Sequence, residues 1–84
     1  MIIRSQDKGV ITTDLNLWIR NEIVGYEIEN NDFKLGTYST EEKAIKVLDM
    51  IQKRYQSIWD VENGFIRGEM NFSSVFQMPQ DSEV

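Results

Sequence analysis

The fold is decided by residues 39–60, which read STEEKAIKVLDMIQKRYQSIWD. Apolar residues in this stretch recur three, four and seven positions apart, so an α-helix would carry them all on one side. Because such a stripe has to be buried, we predict one long helix that packs against a sheet. Ser39 is expected to cap this helix, with Glu42 closing a capping box. The stripe consists of Ala44, Val47, Leu48, Ile51, Tyr55, Ile58 and Trp59.

Short strands are predicted before the helix. The β-branched residues of Ile2–Arg4 and Val10–Thr13 flank a turn-forming stretch at residues 5–9, which predicts a first hairpin. From Leu15 to Arg20 apolar and polar residues alternate, as is typical of a strand with one buried face. This alternation directs Trp18 to the outer face of the sheet.

Two tight turns are predicted to set the register of the strands that follow. One is the Asn-Asn pair at 30–31, since asparagine tolerates the positive φ of a two-residue hairpin turn. The other is the Asn-Glu pair at 21–22, which would place Trp18 over Gly25. The expected cross-strand pairs are Ile28 with Phe33, Tyr26 with Leu35, Val24 with Thr37, Glu27 with Lys34, Ile19 with Val24, and Leu17 with Tyr26.

The chain after the helix is less regular. Residues 61–72 combine an Asn-Gly turn signal with four large apolar residues. We interpret them as a short hairpin or loop over the core; the alternative is an exposed apolar patch for a partner. Val75–Met78 alternates and runs into Pro79, which predicts a last strand at an edge of the sheet. Residues 80–84 are expected to fray.

Together these elements predict a single α+β domain over residues 1–84, with a frayed tail at 79–84. Its expected architecture is one antiparallel β-sheet of about four to five strands, in the order β-β-β-β-α-β. One long amphipathic helix would cover one face of that sheet and leave the other face free for recognition.

The composition is that of a small acidic protein. The 84 residues carry 14 acidic and 9 basic side chains, a net charge of −5. Clustered Lys and Arg, which bind phosphate backbones by displacing counterions, are absent, so we expect no direct nucleic-acid binding. The start MIIRSQD resembles no signal peptide, and no apolar run is long enough to span a membrane. We therefore expect a cytoplasmic location and no membrane partner.

The sequence contains neither cysteine nor histidine. This excludes disulfides, thiolate and imidazole metal sites and the usual nucleophile-histidine arrangements. Glu27 and Glu29 would project from one strand face, but paired acids need a dry cleft to hold Mg²⁺ or move protons, and Lys34 already faces Glu27. We therefore expect no enzyme, no cofactor and no metal site.

Three stretches of the chain are similar to a known group of proteins. They are MIIRSQDK at residues 1–8, LGTYSTEEKA at residues 35–44 and VFQMP at residues 75–79. In these stretches the sequence resembles a recurrent family of small uncharacterised proteins from Gram-positive bacteria and their phages. The resemblance implies a bacterial cytoplasmic or phage-encoded accessory protein, and it transfers no activity or ligand. Residues 59–72 look like an insertion relative to that family.

The expected function is that of a non-catalytic protein-interaction module, with a host protein or a second copy of the chain as partner. An outward Trp18 is the best hint of a contact surface, since tryptophan is enriched at interface hot spots. Two alternatives stay open. One is a small-ligand-binding or sequestering homo-oligomer with a pocket between protomers, for which Arg4, Arg20 and Arg67 are the candidate residues; the other is an acidic mimic of nucleic acid. The candidate partner-binding residues are Trp18, Arg20, Phe65, Ile66, Arg67, Met70 and Phe72.

Overall fold

A computed structural model describes residues 1–58, 61–62, 65–66 and 75–84 of the chain. It has one long helix and several short strands, so the predicted α+β class is confirmed. In chain order the elements are β1 (Ile2–Arg4), β2 (Ile11–Thr12), β3 (Trp18–Glu22), β4 (Gly25–Glu29), β5 (Lys34–Tyr38), α1 (Glu41–Ile58), β6 (Val61–Glu62), β7 (Phe65–Ile66), β8 (Val75–Gln77) and a 3-10 helix (Asp81–Glu83).

The single sheet expected from the sequence is divided in two. One three-stranded sheet has the order β2-β1-β8 and the other the order β3-β4-β5, while β6 and β7 pair with each other. The first hairpin is confirmed, with Ile3 opposite Thr12. The chain returns from α1 so that β8 lies parallel to β1, with Ile3 also opposite Phe76. This pairing buries Ile3 and Phe76 in one core, and β8 lies at a sheet edge as predicted.

The turn between β3 and β4 lies two residues later than expected. Glu22 is opposite Gly25, so the turn consists of Ile23 and Val24, and Ile19 pairs with Ile28 instead of Val24. Gly25 explains the shift, because its φ of +139° is one that L side chains rarely adopt. A Cβ at that position would also lie 2.6 Å from the Tyr38 carbonyl oxygen. The predicted 21–22 turn is therefore wrong.

The predicted register of β4 and β5 is also wrong. Ile28 lies opposite Gly36 rather than Phe33, and the ladder is irregular between Ile28 and Glu29. The reason is that Asn30 turns inward: its Oδ1 accepts hydrogen bonds from the amides of Asp32 (3.0 Å) and Phe33 (2.8 Å). The turn is thereby held at residues 31–32. The predicted ion pair nevertheless forms, with Lys34 Nζ 3.1 Å from Glu27 Oε1.

Helix α1 is described from Glu41 to Ile58 and has most of the predicted buried stripe, while its predicted end at residue 60 lies outside the described part. Ala44, Val47 and Ile51 are buried and Leu48 is half-buried, whereas Tyr55 is 41% exposed, contrary to expectation. The side chains of Ile58 and Trp59 lie outside the described part. The core draws on both three-stranded sheets and on the helix; its buried members are Ile3, Ile28, Leu35, Tyr38, Ala44, Val47, Ile51, Phe76 and Met78.

The cap of the helix and the C-terminal tail differ from expectation for one shared reason. Thr40 Oγ1, not Ser39, accepts the hydrogen bond from the third helical amide, that of Lys43 (3.2 Å). Ser39 instead donates its amide (2.8 Å) and hydroxyl (3.1 Å) to Asp81 Oδ1. The tail is therefore attached to the start of α1 and folds as a 3-10 helix, so the predicted frayed end is wrong.

Of the hairpin or loop predicted after the helix, the described residues form an antiparallel strand pairing. Val61 lies opposite Ile66 and Glu62 opposite Phe65, and the predicted Asn-Gly turn lies outside the described residues. The prediction that this hairpin covers the core concerns side chains outside the described part, and it stays a prediction.

Candidate functional site

The β3-β4-β5 sheet has a core face and a charged outer face. Ile19 on β3 and Ile28 on β4 lie on the core face. Their immediate neighbours along each strand point to the outer face, because side chains alternate along a strand. Trp18 lies on the outer face, 40% exposed, and its indole Nε1 donates a 2.9 Å hydrogen bond to Glu29 Oε1. The predicted cover of Gly25 by Trp18 is wrong, because Glu29 is the residue opposite Trp18.

Ion pairs engage the charges of this outer face. Arg20 Nε lies 2.5 Å from Glu22 Oε1, and one Arg20 terminal nitrogen lies 3.7 Å from Glu29 Oε1. Lys34 is paired with Glu27, which is only 6% exposed. Each of these cations therefore already has a carboxylate partner, so the face offers little to an anionic ligand. The acids are likewise interspersed with cations, unlike those of a nucleic-acid mimic.

The two edges of this sheet differ. The β5 edge is closed, meaning that its outward backbone groups are hydrogen-bonded within the chain. The Gln6 amide donates to the Leu35 carbonyl (2.7 Å), and the Gln6 side chain both accepts from the Thr37 amide (3.0 Å) and donates to the Thr37 carbonyl (3.2 Å). A side-chain amide thus takes the place of a neighbouring strand. No further strand can pair with β5 without displacing Gln6.

The β3 edge, which we define as residues 18–24, is open. In a two-residue hairpin the residues that flank the turn form a hydrogen-bonded pair, and such pairs then alternate along the ladder. Glu22, Arg20 and Trp18 therefore direct their backbone groups toward β4, whereas Ile19 and Asn21 direct theirs outward. Within the described part of the chain, no other segment forms a backbone hydrogen bond to Ile19 or Asn21.

Apolar side chains are exposed at both ends of the β3 edge. At the hairpin tip Ile23 is fully exposed and Val24 is 73% exposed. Trp18 lies at the opposite end, about 16 Å from Ile23 at roughly 3.3 Å per residue. Arg20 and Glu22 occupy the middle. β-Branched residues are unusual in a tight turn, and the sequence signal that could have located this tip is Gly25 directly after them.

A second concave feature, the α1 groove, lies between residues 13–17 and the middle of the helix. Its volume is about 680 Å³, within the range of small-molecule sites. Apolar walls alternate with polar atoms, and Asp14 is its one charged lining residue within the described part. The groove is lined by Thr13, Asp14, Leu15, Asn16, Leu17, Leu48, Ile51, Gln52 and Tyr55.

The structure brings together only some of the predicted site residues. Trp18 and Arg20 share the outer face of β3 as predicted. Arg4 lies on β1 in the other sheet, where its Nε donates to the Lys8 carbonyl (3.3 Å), and the basic pocket expected between protomers stays a prediction. Phe65 and Ile66 form β7, and their side chains lie outside the described part. The other predicted contact residues, Arg67, Met70 and Phe72, lie entirely outside the described part.

The described residues contain no group of three or more acidic, histidine or cysteine side chains that could hold a metal ion. No described helix is long and apolar enough to cross a membrane.

The Tyr38 hydroxyl is a buried hydrogen-bond donor. Burial raises its pKa above the ordinary value, and Tyr38 donates a 2.8 Å hydrogen bond to the Pro79 carbonyl. Tyr38 therefore stays protonated as a structural donor.

Compared with known proteins, the chain matches no family model, no curated protein and no solved structure.

Proposed function

We propose that this chain is a non-catalytic protein-interaction module, and that it binds a protein partner along the β3 edge. The observation that carries this proposal is the contrast between the two edges of one sheet. Gln6 closes β5 with backbone and side-chain hydrogen bonds, while Ile19 and Asn21 direct their amides and carbonyls outward. An extended strand from a partner would satisfy those groups by β-augmentation.

Exposed apolar residues support the same surface. Main-chain hydrogen bonds along an edge give affinity, and side chains beside the edge give specificity. Trp18 and Val24 lie at the two ends of the β3 edge, where a partner strand would cover them. A fully exposed isoleucine at a hairpin tip adds nothing to the core of its own chain. Contact with another protein gives Ile23 a role.

The experiment is site-specific photocrosslinking of the full chain in bacterial cells. A benzophenone amino acid replaces Ile23 in one variant and Ile45 in a matched control, since Ile45 is an exposed isoleucine on α1 (44%). We expect a discrete adduct from position 23 that Asn21→Pro abolishes, because proline removes the outward amide and cannot accept a partner strand. Equal labelling from both positions would contradict the proposal.

The setting that we propose is the bacterial cytoplasm, either as a host protein or as a phage-encoded accessory factor. Its support is the resemblance carried by residues 1–8, 35–44 and 75–79. The role in that setting is regulation by binding rather than by chemistry.

The α1 groove supports a second candidate function, the binding of a small neutral ligand. Its apolar walls and its volume of about 680 Å³ suit a compact apolar molecule with one or two polar groups. Titration of the full chain with the neutral fluorescent probe N-phenyl-1-naphthylamine tests this candidate. Leu48→Gln should remove the fluorescence enhancement, whereas Ile45→Gln, on an exposed part of the same helix, should leave it unchanged. Identical curves for the two variants would contradict groove binding.

A further inference from the structure

We propose that the partner at the β3 edge is a second copy of this chain, joined through antiparallel β3-β3 pairing centred on Asn21. This inference rests on the proposed function and names its partner. The result is a closed dimer in which two three-stranded sheets become one six-stranded sheet.

The first argument is that the β3 edge is complementary to itself. When two antiparallel copies cross at Asn21, every residue meets one of matching chemistry. Apolar residues meet apolar residues at both ends, and opposite charges meet between them, as stable cross-strand pairs require. The pairs are Trp18 with Val24, Ile19 with Ile23, Arg20 with Glu22, and Asn21 with Asn21.

The second argument is the direction of the backbone groups. Asn21 is one of the β3 residues whose amide and carbonyl face outward. In an antiparallel pair centred on Asn21, the two copies exchange both hydrogen bonds at the two-fold axis, with Cα atoms about 5.5 Å apart. The outward amide and carbonyl of Ile19 form hydrogen bonds in the same ladder. The register that matches the side chains is thus one that the backbone also allows.

The neighbouring registers are less favourable. Centring the pair on Arg20 places two arginines directly opposite each other, and like charges in that position are destabilising. Centring it on Ile19 moves the hairpin tips beyond the paired region and leaves Ile23 and Val24 exposed. Only the register centred on Asn21 pairs the charges and also covers the tip.

The third argument is closure. An edge that pairs with its own copy about a two-fold axis consumes the open edge of both chains. The opposite edge of each sheet is already occupied by Gln6, so no further copy can add there. Growth through the β3-β4-β5 sheet therefore stops at two chains.

The first test is a charge exchange measured by sedimentation equilibrium of the full chain. Wild type should have twice the 9.9 kDa mass of one chain. Arg20→Glu and Glu22→Arg should each weaken the dimer by about tenfold or more, since each variant places like charges opposite one another. Mixing the two variants should restore a dimer, because every charged pair is then opposite again. Lys46→Glu, an exposed change on α1, is the control that should dimerise like wild type.

The second test fixes the register by disulfide trapping, which is clean because the chain has no cysteine. Asn21→Cys should crosslink to itself under mild oxidation, since the expected Cα separation matches that of a disulfide. Arg20→Cys and Glu22→Cys should crosslink when mixed and much more slowly when alone. Faster self-crosslinking of Ile19→Cys than of Asn21→Cys would overturn the register.

The outcomes separate this inference from the proposed function. A chain that stays monomeric at its highest soluble concentration, yet crosslinks a different protein from position 23, overturns self-pairing and leaves the proposed function standing. A dimer that is unaffected by both Arg20→Glu and Glu22→Arg uses another surface and overturns self-pairing. If position 23 also labels nothing above the position 45 control, the proposed function is overturned with it.

Discussion

The two edges of the β3-β4-β5 sheet face the same physical problem and meet it differently. Each edge strand has backbone groups that the sheet itself leaves unpaired. At β5 the chain supplies the missing partner from Gln6, whereas at β3 the described part of the chain supplies none. Within the described part, one small sheet thus has one edge that is hydrogen-bonded by its own chain and one edge that is open.

The closed edge is also where distant parts of the sequence meet. Gln6 reaches the Pro79 carbonyl (3.1 Å), Tyr38 reaches the same carbonyl, and the Gln77 side chain donates to the Ser5 carbonyl (2.9 Å). Residues near the start of the chain, at the end of β5 and after β8 are thereby held together by side-chain hydrogen bonds to backbone carbonyls.

The largest expected effect comes from breaking the closed edge with Gln6→Ala. The substitution removes three side-chain hydrogen bonds, two to the backbone of Thr37 and one to the Pro79 carbonyl. At roughly 1 kcal/mol each, with partly buried groups left unpaired, the free energy of unfolding should fall by about 2–4 kcal/mol. Urea denaturation followed by circular dichroism measures the change.

Gln80→Ala is the matched control for that loss. Gln80 is exposed and donates one hydrogen bond, to the Gln6 carbonyl (2.9 Å), so its removal should cost about 1 kcal/mol or less. If the two variants were equally stable, Gln6 would not be what closes the edge.

A smaller loss is expected from Tyr38→Phe, which keeps the buried ring and removes only the hydroxyl. The Pro79 carbonyl would lose one donor inside the core, and the free energy of unfolding should fall by about 1–2 kcal/mol. Tyr26→Phe is the control, because Tyr26 is half-buried and forms no side-chain hydrogen bond within the described part. Comparable losses in thermal unfolding of both variants would show that ring packing, not the hydroxyl, holds the tail.

The comparison of the two edges also shows which features of the fold could be predicted from the sequence. The α1 helix follows from a local period of 3.6, and the outer positions of Trp18 and Arg20 follow from a local period of two. Turn positions depended on contacts far away in sequence: Gly25 packs against the Tyr38 backbone, and the Asn30 side chain donates to Thr12 Oγ1 (3.2 Å). Such contacts leave no periodic signal, and both predicted turns were displaced.

The open edge itself could not be predicted for a related reason. Whether a strand has one neighbour or two is a property of the sheet, and the parallel return of β8 to β1 was equally invisible. Val24 was predicted as a strand residue opposite Ile19 and Thr37. Only the shift of the turn reveals that Val24 and its neighbour Ile23 are exposed.

A third prediction concerns pH and the contact that ties the tail to α1. The hydrogen bond from the Ser39 amide is the main cause that lowers the pKa of Asp81 below its ordinary value, and the Ser39 hydroxyl and Lys43 add to it. A carboxyl whose pKa is lowered on folding stabilises the fold above its unfolded pKa, and that contribution is lost as the pH falls through the folded value. Stability should therefore decline below about pH 4.

Asp81→Asn isolates this contribution. The side-chain carbonyl oxygen of this variant can still accept the hydrogen bond from the Ser39 backbone N–H, but the side chain does not titrate. The midpoint of thermal unfolding should therefore fall less steeply than that of wild type between about pH 4 and pH 2. Asp7, whose pKa is lowered mainly by the Ser5 hydroxyl, titrates in both proteins and contributes to the slope that remains. Superimposable pH profiles would contradict a role for Asp81.

The smallest effect on stability is expected at the open edge, from Ile23→Lys. Because Ile23 is fully exposed, the free energy of unfolding should change by no more than about 0.5 kcal/mol, whereas Ile28→Val, on the buried face of the same hairpin, should cost about 0.5–1.5 kcal/mol. A lysine on an exposed edge also opposes strand addition, so the variant should fold normally and fail to associate. Urea denaturation beside sedimentation of the same sample checks both halves. A large loss of stability would mean that Ile23 serves its own fold, and the distinction between a closed edge and a recognition edge would disappear.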